Sequence, residues 1–466
     1  MGNRGITTII FFVLSCTATV LAQQPLSLEQ CRQLAIENNK SLKIASEQER
    51  IAYYNKREAL SKFFPEIQFV GGYIRNQKNL HLIPSSAIAS IPSSISLLVP
   101  IGDISSIPIP DDLKTGLYDL GKVDIKNIWA GGFNLTQPVF MGGKIIAYSD
   151  LRAYAQELAE TMKETWMTEV IVEVDNAYWQ VVSVANKKKL AESYVRLMQK
   201  MDSDMSAMEE EGVVTKADRL SVNVKLNEAE ITLTKAENGL SLAKMLLCQI
   251  CGLEISDAVV LQDENIDNIP VAGDTNILPN IDEALANRTE IKSLDLATKI
   301  YQKQEKIALA DFMPNVALTA NYIWTNPNLF DGFEKKFGGM WNVGVVVKVP
   351  LNFFSSSAKL NTAKAETRIK QFELADAKER ITLQINQETY KLSEANKKLI
   401  AVKKNTEKAD ENLRYANVGF EEGVIASSDV IAAHTAWLAA HSDLIDAQID
   451  IILCKVYLNK ALGRKL

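Results

Sequence analysis

The chain says nearly the same thing twice, and that limits its possible folds more than any other feature. EEGVVTKAD stands at residues 210–218 and EEGVIASSD at 421–429. Gly212 and Gly423 lie 211 residues apart, as do Asp218 and Asp429, and as do Gly252 and Gly463. Trp129 and Trp341 lie 212 apart, as do Pro138 and Pro350, while FFPEIQFVGGYI (63–74) matches FMPNVALTANYI (312–323) at a spacing of 249. The first copy therefore holds a loop 37 residues longer, at roughly 75–127 and rich in Ile, Pro and Ser. Each copy of the repeat reads as helix, strand, loop, strand, long helix, glycine turn, helix. The first covers 23–252 and the second 280–466, joined by a connector at 253–279 with little periodicity.

Residues 1–22 read as a signal peptide: Arg4 is positive, Ile6 to Leu14 is apolar, and Val20-Leu21-Ala22 offers a small-residue cleavage site. A rival use of the same stretch makes Cys16 a lipoprotein cysteine, because Val13-Leu14-Ser15-Cys16 is a loose lipobox. Beyond it no apolar run reaches the length of about 18 residues that a membrane helix needs. A net charge of −6 on 466 residues gives no basic footprint for nucleic acid.

Chemistry-bearing clusters are sparse. Cys248-Gln-Ile-Cys251 lies in an apolar helical pattern without a second pair or a nearby histidine, so packed thiols are expected rather than a metal or redox site. Cys31 and Cys454 complete too small a set for a disulfide scaffold. His81, His434 and His441 are the only histidines, and the last two, seven residues apart on one helix, stand about 10 Å apart along it. That is too far for one metal, and solvated helix positions are expected. With no phosphate loop or nucleophile elbow, neither an enzyme nor a cofactor is expected.

Four segments, at about 65–75, 128–138, 314–325 and 340–350, alternate with the strand period of two. Val316, Leu318, Ala320, Tyr322 and Trp324 face one way, and Ala317, Thr319 and Asn321 the other. Trp341, Val343, Val345, Val347 and Val349 likewise oppose Asn342, Gly344, Val346 and Lys348. Segments of this length, with aromatics near their ends, suit tilted strands crossing a bilayer. A soluble four-stranded sandwich is the bland alternative. In lipid the sheet must close, and the smallest membrane barrels have about eight strands. Four strands per chain thus force an oligomer.

From about Gly143 to Glu211, and from about Ser357 to Glu422, no proline interrupts helical spacing. Roughly 70 residues make a rod of about 100 Å. Leu392, Ala395, Leu399, Val402, Thr406 and Leu413 lie on a coiled-coil seam that resumes after the glycine with Val430, Ala433 and Trp437. A second apolar line through Ile431, Leu438, Ile445 and Ile452 implies a second helical neighbour. Gly212 and Gly423 then end long helices in hairpin tips. Thr215 on one side, and Ser427 with Ser428 on the other, are candidate caps of the returning helices.

Together these features resemble the outer-membrane efflux protein (TolC) family. The resemblance rests on LSLEQCRQLAIENN (26–39), the Phe/Met-Pro turns into strands, NVGVVVKVPLNFF (342–354), FEEGVIASSDVIAAHTAWLAAHSDL (420–444) and the duplication, over about 26–464. It implies a mainly α fold with membrane β: a homotrimer whose 12-stranded β-barrel in the outer membrane continues into a long periplasmic α-helical barrel. It implies a passive exit duct for efflux or type I secretion, with a periplasmic adaptor protein and an inner-membrane pump as partners. Adaptor hairpins would dock on Gly212, Val213 and Val214 and on Gly423, Val424 and Ile425. Of the family's two acidic rings one remains, at Asp429; the second falls on Ala432, and the latching tyrosine and arginine fall on Phe420 and Ile425. The expected gate is therefore Asp429 with a more apolar closure by Phe420 and Ile425, while Asp218 is expected to cap its helix. The competing class is a periplasmic coiled-coil adaptor or scaffold, which would carry one hairpin on short-stranded β domains.

Overall fold

A computed structural model describes residues 25–97, 105–265, 269 and 279–465. The leader at 1–22, Cys16 within it, and most of 266–278 lie outside the described residues. In chain order the first repeat supplies α1 (Leu28–Asn38), α2 (Lys40–Ser61), β1 (Glu66–Arg75), β2 (Leu80–His81), α3 (Ser85–Ala89), β3 (Ser94–Leu97), β4 (Ser105–Pro108) and α4 (Asp111–Leu120). It ends with β5 (Lys122–Val123), β6 (Asn127–Met141), α5 (Lys144–Glu210) and α6 (Lys216–Ile250). The second repeat is α7 (Ile281–Asn287), α8 (Thr289–Ala310), β7 (Asn315–Asn326), β8 (Gly338–Lys348), α9 (Phe353–Glu421) and α10 (Ser427–Ala461).

The chain divides into two compact units. One holds Arg50–Leu158 and Asp295–Glu373, and the other holds the rest. The first unit carries a four-stranded antiparallel sheet in the order β1-β6-β7-β8. Strand β6 runs to Met141, past Pro138, with a register shift between Pro138 and Phe140 that lets the ladder absorb a residue without a backbone donor. Gln68, Asn134, Asn321 and Asn342 stand in register across all four strands. The Asn134 amide donates to Asn321 Oδ1, and Asn321 donates to Asn342 Oδ1 at 2.8 Å. A slip of one residue would put these amides on the opposite face, so the row pins the register. That opposite face is aromatic and aliphatic: Phe69 lies 5.3 Å from Phe133 and 5.8 Å from Trp324, centroid to centroid. It is also open, with Trp341 73% and Val343 67% exposed.

The second unit is helical, with three apolar clusters. The first joins α1, α5, α6 and α10, and the described connector packs into it through Leu261 and Ile269. Arg32 Nε and Nη2 donate to Asp175 Oδ1 and Oδ2 at 2.7 and 2.6 Å, a bidentate pair on a carboxylate with no exposed surface. Hydrogen bonding to Asp175 holds the Arg32 guanidinium above its usual value. The second cluster is the α9–α10 seam, with Leu392, Ala395, Leu399 and Val402 against Ala447, Ile451 and Leu458. The second apolar line of α10 turns toward the first repeat: Ile445 and Ile452 pack on the first cluster, and Ile431 and Leu438 on the third. Of the four free cysteines among the described residues, Cys31, Cys248 and Cys251 are buried and Cys454 is half-buried, and among the described residues no cluster of three or more ligands could hold a metal.

The helix expected ahead of each first strand is two helices. Asn39 and Arg288, 249 residues apart, interrupt it in extended conformation. Neither is a Gly or Pro; tertiary contacts impose the break. Asn39 Nδ2 donates to the Ile250 carbonyl at 2.9 Å, and Arg288 Nη1 to the Lys460 carbonyl at 2.9 Å, so each break caps the last carbonyls of a long helix. The helix ends that dock there turn on Gly252 (φ +69) and Gly463 (φ +66). A Cβ on Gly252 would stand 2.7 Å from the Asn38 carbonyl carbon, and one on Gly463 3.1 Å from Arg288 N. Positive φ and close approach together require glycine.

His434 also departs from expectation. It is not solvated: it is 3% exposed on the buried side of α10, between the core residues Val430 and Ala433 and the seam that follows. Its Nδ1 is buried with no hydrogen-bond partner, and burial holds the imidazole below its ordinary value. His441 is half-buried instead; its Nε2 lies 2.9 Å from Asp410 Oδ1, which also accepts from Trp437 Nε1 at 2.7 Å.

Two outcomes are expected. Gly252→Ala or Gly463→Ala should lower the stability of the folded protein by about 1–3 kcal/mol, read from thermal unfolding in detergent. For His434 the unfolded chain binds its proton first as pH falls, since the folded value is depressed. Stability is therefore full above the ordinary value of 6.5 and is lost as pH falls below it. His434→Leu should remove that acid-side loss and add about 1 kcal/mol at neutral pH, by removing an unpaired buried polar atom.

Candidate functional site: the two hairpin tips

Each long hairpin of the helical unit turns over on five residues, and the two turns are built alike. At the first, Gly212 takes φ +71, its N–H donates to Glu209 O at 3.0 Å, and Val213 N–H donates to Met208 O at 2.8 Å. At the second, Gly423 takes φ +71, Gly423 N–H donates to Phe420 O at 3.0 Å, and Val424 N–H donates to Gly419 O at 2.8 Å. These paired bonds around a left-handed glycine form the Schellman motif, which satisfies the last carbonyls of α5 and α9. Satisfying the backbone internally leaves the tip side chains free to face outward.

Val213 and Val424 do so, 73% and 82% exposed. Val214 and Ile425 turn back onto a cluster shared by both hairpins, built from Met198, Met205 and Val222 of the first and Leu413, Ala416 and Val430 of the second. Phe420 packs on the same cluster. The structure thus brings the six tip residues and Phe420 onto one end of one apolar core. Phe420 and Ile425 are half-buried against their own chain rather than projecting freely. Glu210, Glu211, Glu421 and Glu422 are exposed beside the glycines, so each apolar tip carries an acidic rim.

The returning helices differ. Thr215 caps α6 in a reciprocal box: its hydroxyl accepts from Asp218 N–H at 3.3 Å, and Asp218 Oδ2 accepts from Thr215 N–H at 3.1 Å. Bonds from the Thr215 hydroxyl and backbone hold the Asp218 carboxyl below its usual value. Ser427 and Ser428 cap nothing; they are the first helical residues of α10, and the capping position falls on Ala426, which has no side-chain bond to give. Asp429 consequently lies exposed in the first turn of α10, outside any capping box. The same position in the two repeats is a locked cap in one and an unlocked carboxylate in the other.

Two contributors were not singled out from sequence. Gly419 seats Ile425, whose Cδ1 would stand 2.5 Å from a Cβ built there. Met198, Met201 and Met205 form a buried thioether seam along α5. The methionines carry a sequence signal in their spacing of three and four along α5, while the contact of Gly419 with Ile425 across the turn carries none.

The chain matches the outer membrane efflux protein family over residues 31–253 and 280–464. No curated protein matches it in sequence. Among solved structures it is similar to the Campylobacter jejuni CmeC outer membrane channel, with 16% identity, 94% of this chain and 85% of that one covered, and a TM-score of 0.74. It is similar also to the outer membrane protein VceC of Vibrio cholerae, with 15% identity, 94% and 96% covered, and a TM-score of 0.70. The open-state MtrE outer membrane channel of Neisseria gonorrhoeae aligns at 16% identity, 94% and 89% covered, and a TM-score of 0.70. At these identities the structures speak for the fold, while the family match spans both repeats. The chain belongs to the outer membrane efflux protein family.

Proposed function

We propose that this protein is the outer-membrane exit duct of an efflux or type I secretion system, a passive conduit that works as a homotrimer. One observation carries the proposal: a four-stranded sheet with an exposed apolar face and no partner strand, among the described residues, for the outer edge of β1 or of β8. In hydrocarbon such edges must pair, and three copies of the sheet supply a closed barrel of twelve strands. The apolar face then meets lipid and the amide row faces the lumen. A periplasmic adaptor or scaffold has no use for such a sheet.

The tips are the docking points for the adaptor. Val213 and Val424 are exposed, their backbone is satisfied, and the acidic rim suits a partner surface of apolar residues flanked by basic ones. Pumping energy comes from the inner-membrane partner, and the duct itself carries out no turnover. Asp429, exposed and outside any capping box, is the gate acid; three such carboxylates around a narrow axis favour cations.

Native mass spectrometry of the detergent-extracted outer-membrane protein should give a trimer; a monomer or dimer would overturn the duct. Val213→Asp with Val424→Asp should leave that trimer intact and abolish adaptor-dependent efflux. In single-channel recordings Asp429→Asn should reduce cation preference, and unchanged selectivity would remove Asp429 from the gate.

A further inference from the structure

The joint between α1 and the end of α6 brings together two thiols that stand 220 residues apart in the chain. Cys31 lies within α1 and is 0% exposed; Cys251 ends α6 and is 1% exposed. Cys251 Sγ lies 3.5 Å from the Cys31 carbonyl oxygen, and the two thiols also hydrogen-bond each other. The backbone on either side of Cys251 holds the contact in place. Asn39 Nδ2 donates to the Ile250 carbonyl at 2.9 Å, and Gly252 approaches Asn38 too closely to leave room for a Cβ.

The other two described thiols have partners or packing elsewhere. Cys248 Sγ donates to the Ser256 carbonyl at 3.3 Å, and Cys454 packs on the α9–α10 seam. The second repeat has no equivalent pair, since the offsets of 249 and 211 residues put Asn280 and Leu462 at the matching positions. Its joint relies instead on the Arg288 guanidinium, which donates to the Lys460 carbonyl and to Glu290.

A pair of thiols in contact stays reduced in the cytosol, but the helical part of this protein lies in the periplasm, which oxidises such pairs. We propose that Cys31 and Cys251 form a disulfide in the exported protein, tying α1 to the end of α6. The oxidant is a disulfide-bonded thiol oxidoreductase of the periplasm. One cysteine, as its thiolate, attacks a sulfur of that disulfide, forming a mixed disulfide and releasing one oxidant thiolate. The other cysteine's thiolate then attacks the first cysteine's sulfur, forming the Cys31–Cys251 bond and releasing the oxidant's second thiolate. Two electrons and two protons pass to the oxidant, which leaves as a dithiol. The exchange takes place as α1 docks, because both sulfurs are out of solvent afterwards. A bond across 220 residues restricts the unfolded chain far more than the folded one.

The test takes the protein from outer membranes, denatures it in the presence of N-ethylmaleimide without prior reduction, and maps its tryptic peptides by mass spectrometry. Expected is the Cys31 peptide joined to the peptide that holds Cys248 and Cys251, lighter than their sum by the mass of two hydrogens. The link should persist in Cys248→Ser and disappear in Cys251→Ser. Dithiothreitol should lower the midpoint of thermal unfolding of the unaltered protein, and leave unmoved that of a variant carrying both Cys31→Ser and Cys251→Ser. Recovery of Cys31 and Cys251 as alkylated thiols overturns the disulfide, as does a link that runs through Cys248. Either result leaves the trimeric duct standing, since the mass of the native assembly tests that separately.

Discussion

A backbone amide in hydrocarbon has no water to bond, and among the described residues the sheet of this protein leaves two rows of such groups unpaired, one on β1 and one on β8. Most of the remaining architecture follows from that debt. A single chain cannot curl four strands into a closed wall, so the wall has to be shared. The strands must keep one register, because a slip would turn Trp341 and Val343 inward and the asparagines toward lipid. The amide row provides that register from within the chain.

The helical unit solves a related problem by other means. A helix end leaves carbonyls unpaired wherever it stops, and this chain stops four long helices with the same left-handed glycine geometry, at positions paired 211 residues apart. At the tips the turn is free and solvent-facing. At Gly252 and Gly463 it is instead inserted against the breaks at Asn39 and Arg288. One backbone device therefore serves as an open end in one place and as a joint in another, and only the surrounding packing distinguishes them.

The duplication, the alternation of the strands and the α9–α10 seam were legible in the sequence because each rests on periodicity. Leu392, Leu399 and Ala433 are buried where the seam puts them. What was not legible depended on partners distant in the chain. The breaks at Asn39 and Arg288 have no local signature, since the residues that stabilise them lie 211 and 172 positions away. Ser427 and Ser428 looked like caps because their residue type fits; the backbone entered the helix one residue earlier, at Ala426. The spacing of His434 and His441, too long for one metal, suggests solvated positions, yet His434 stands four residues after Val430, where a second core position of the seam falls. At the tips, the glycines and valines were visible from the repeated phrase. The seat that Gly419 provides for Ile425 was not, because contact across a turn leaves no trace in periodicity.

The amide row has an electrical consequence. Gln68, Asn134, Asn321 and Asn342 bear no charge, and the only charged residues on their face of the sheet are Glu66 and Lys348, both at the ends of the strands nearest the helices. A wall of this composition offers passing solutes hydrogen-bond partners but no fixed field. Along such a wall an anion and a cation of similar size meet the same resistance. Under the proposed gate, discrimination by sign falls to Asp429 and not to the sheet.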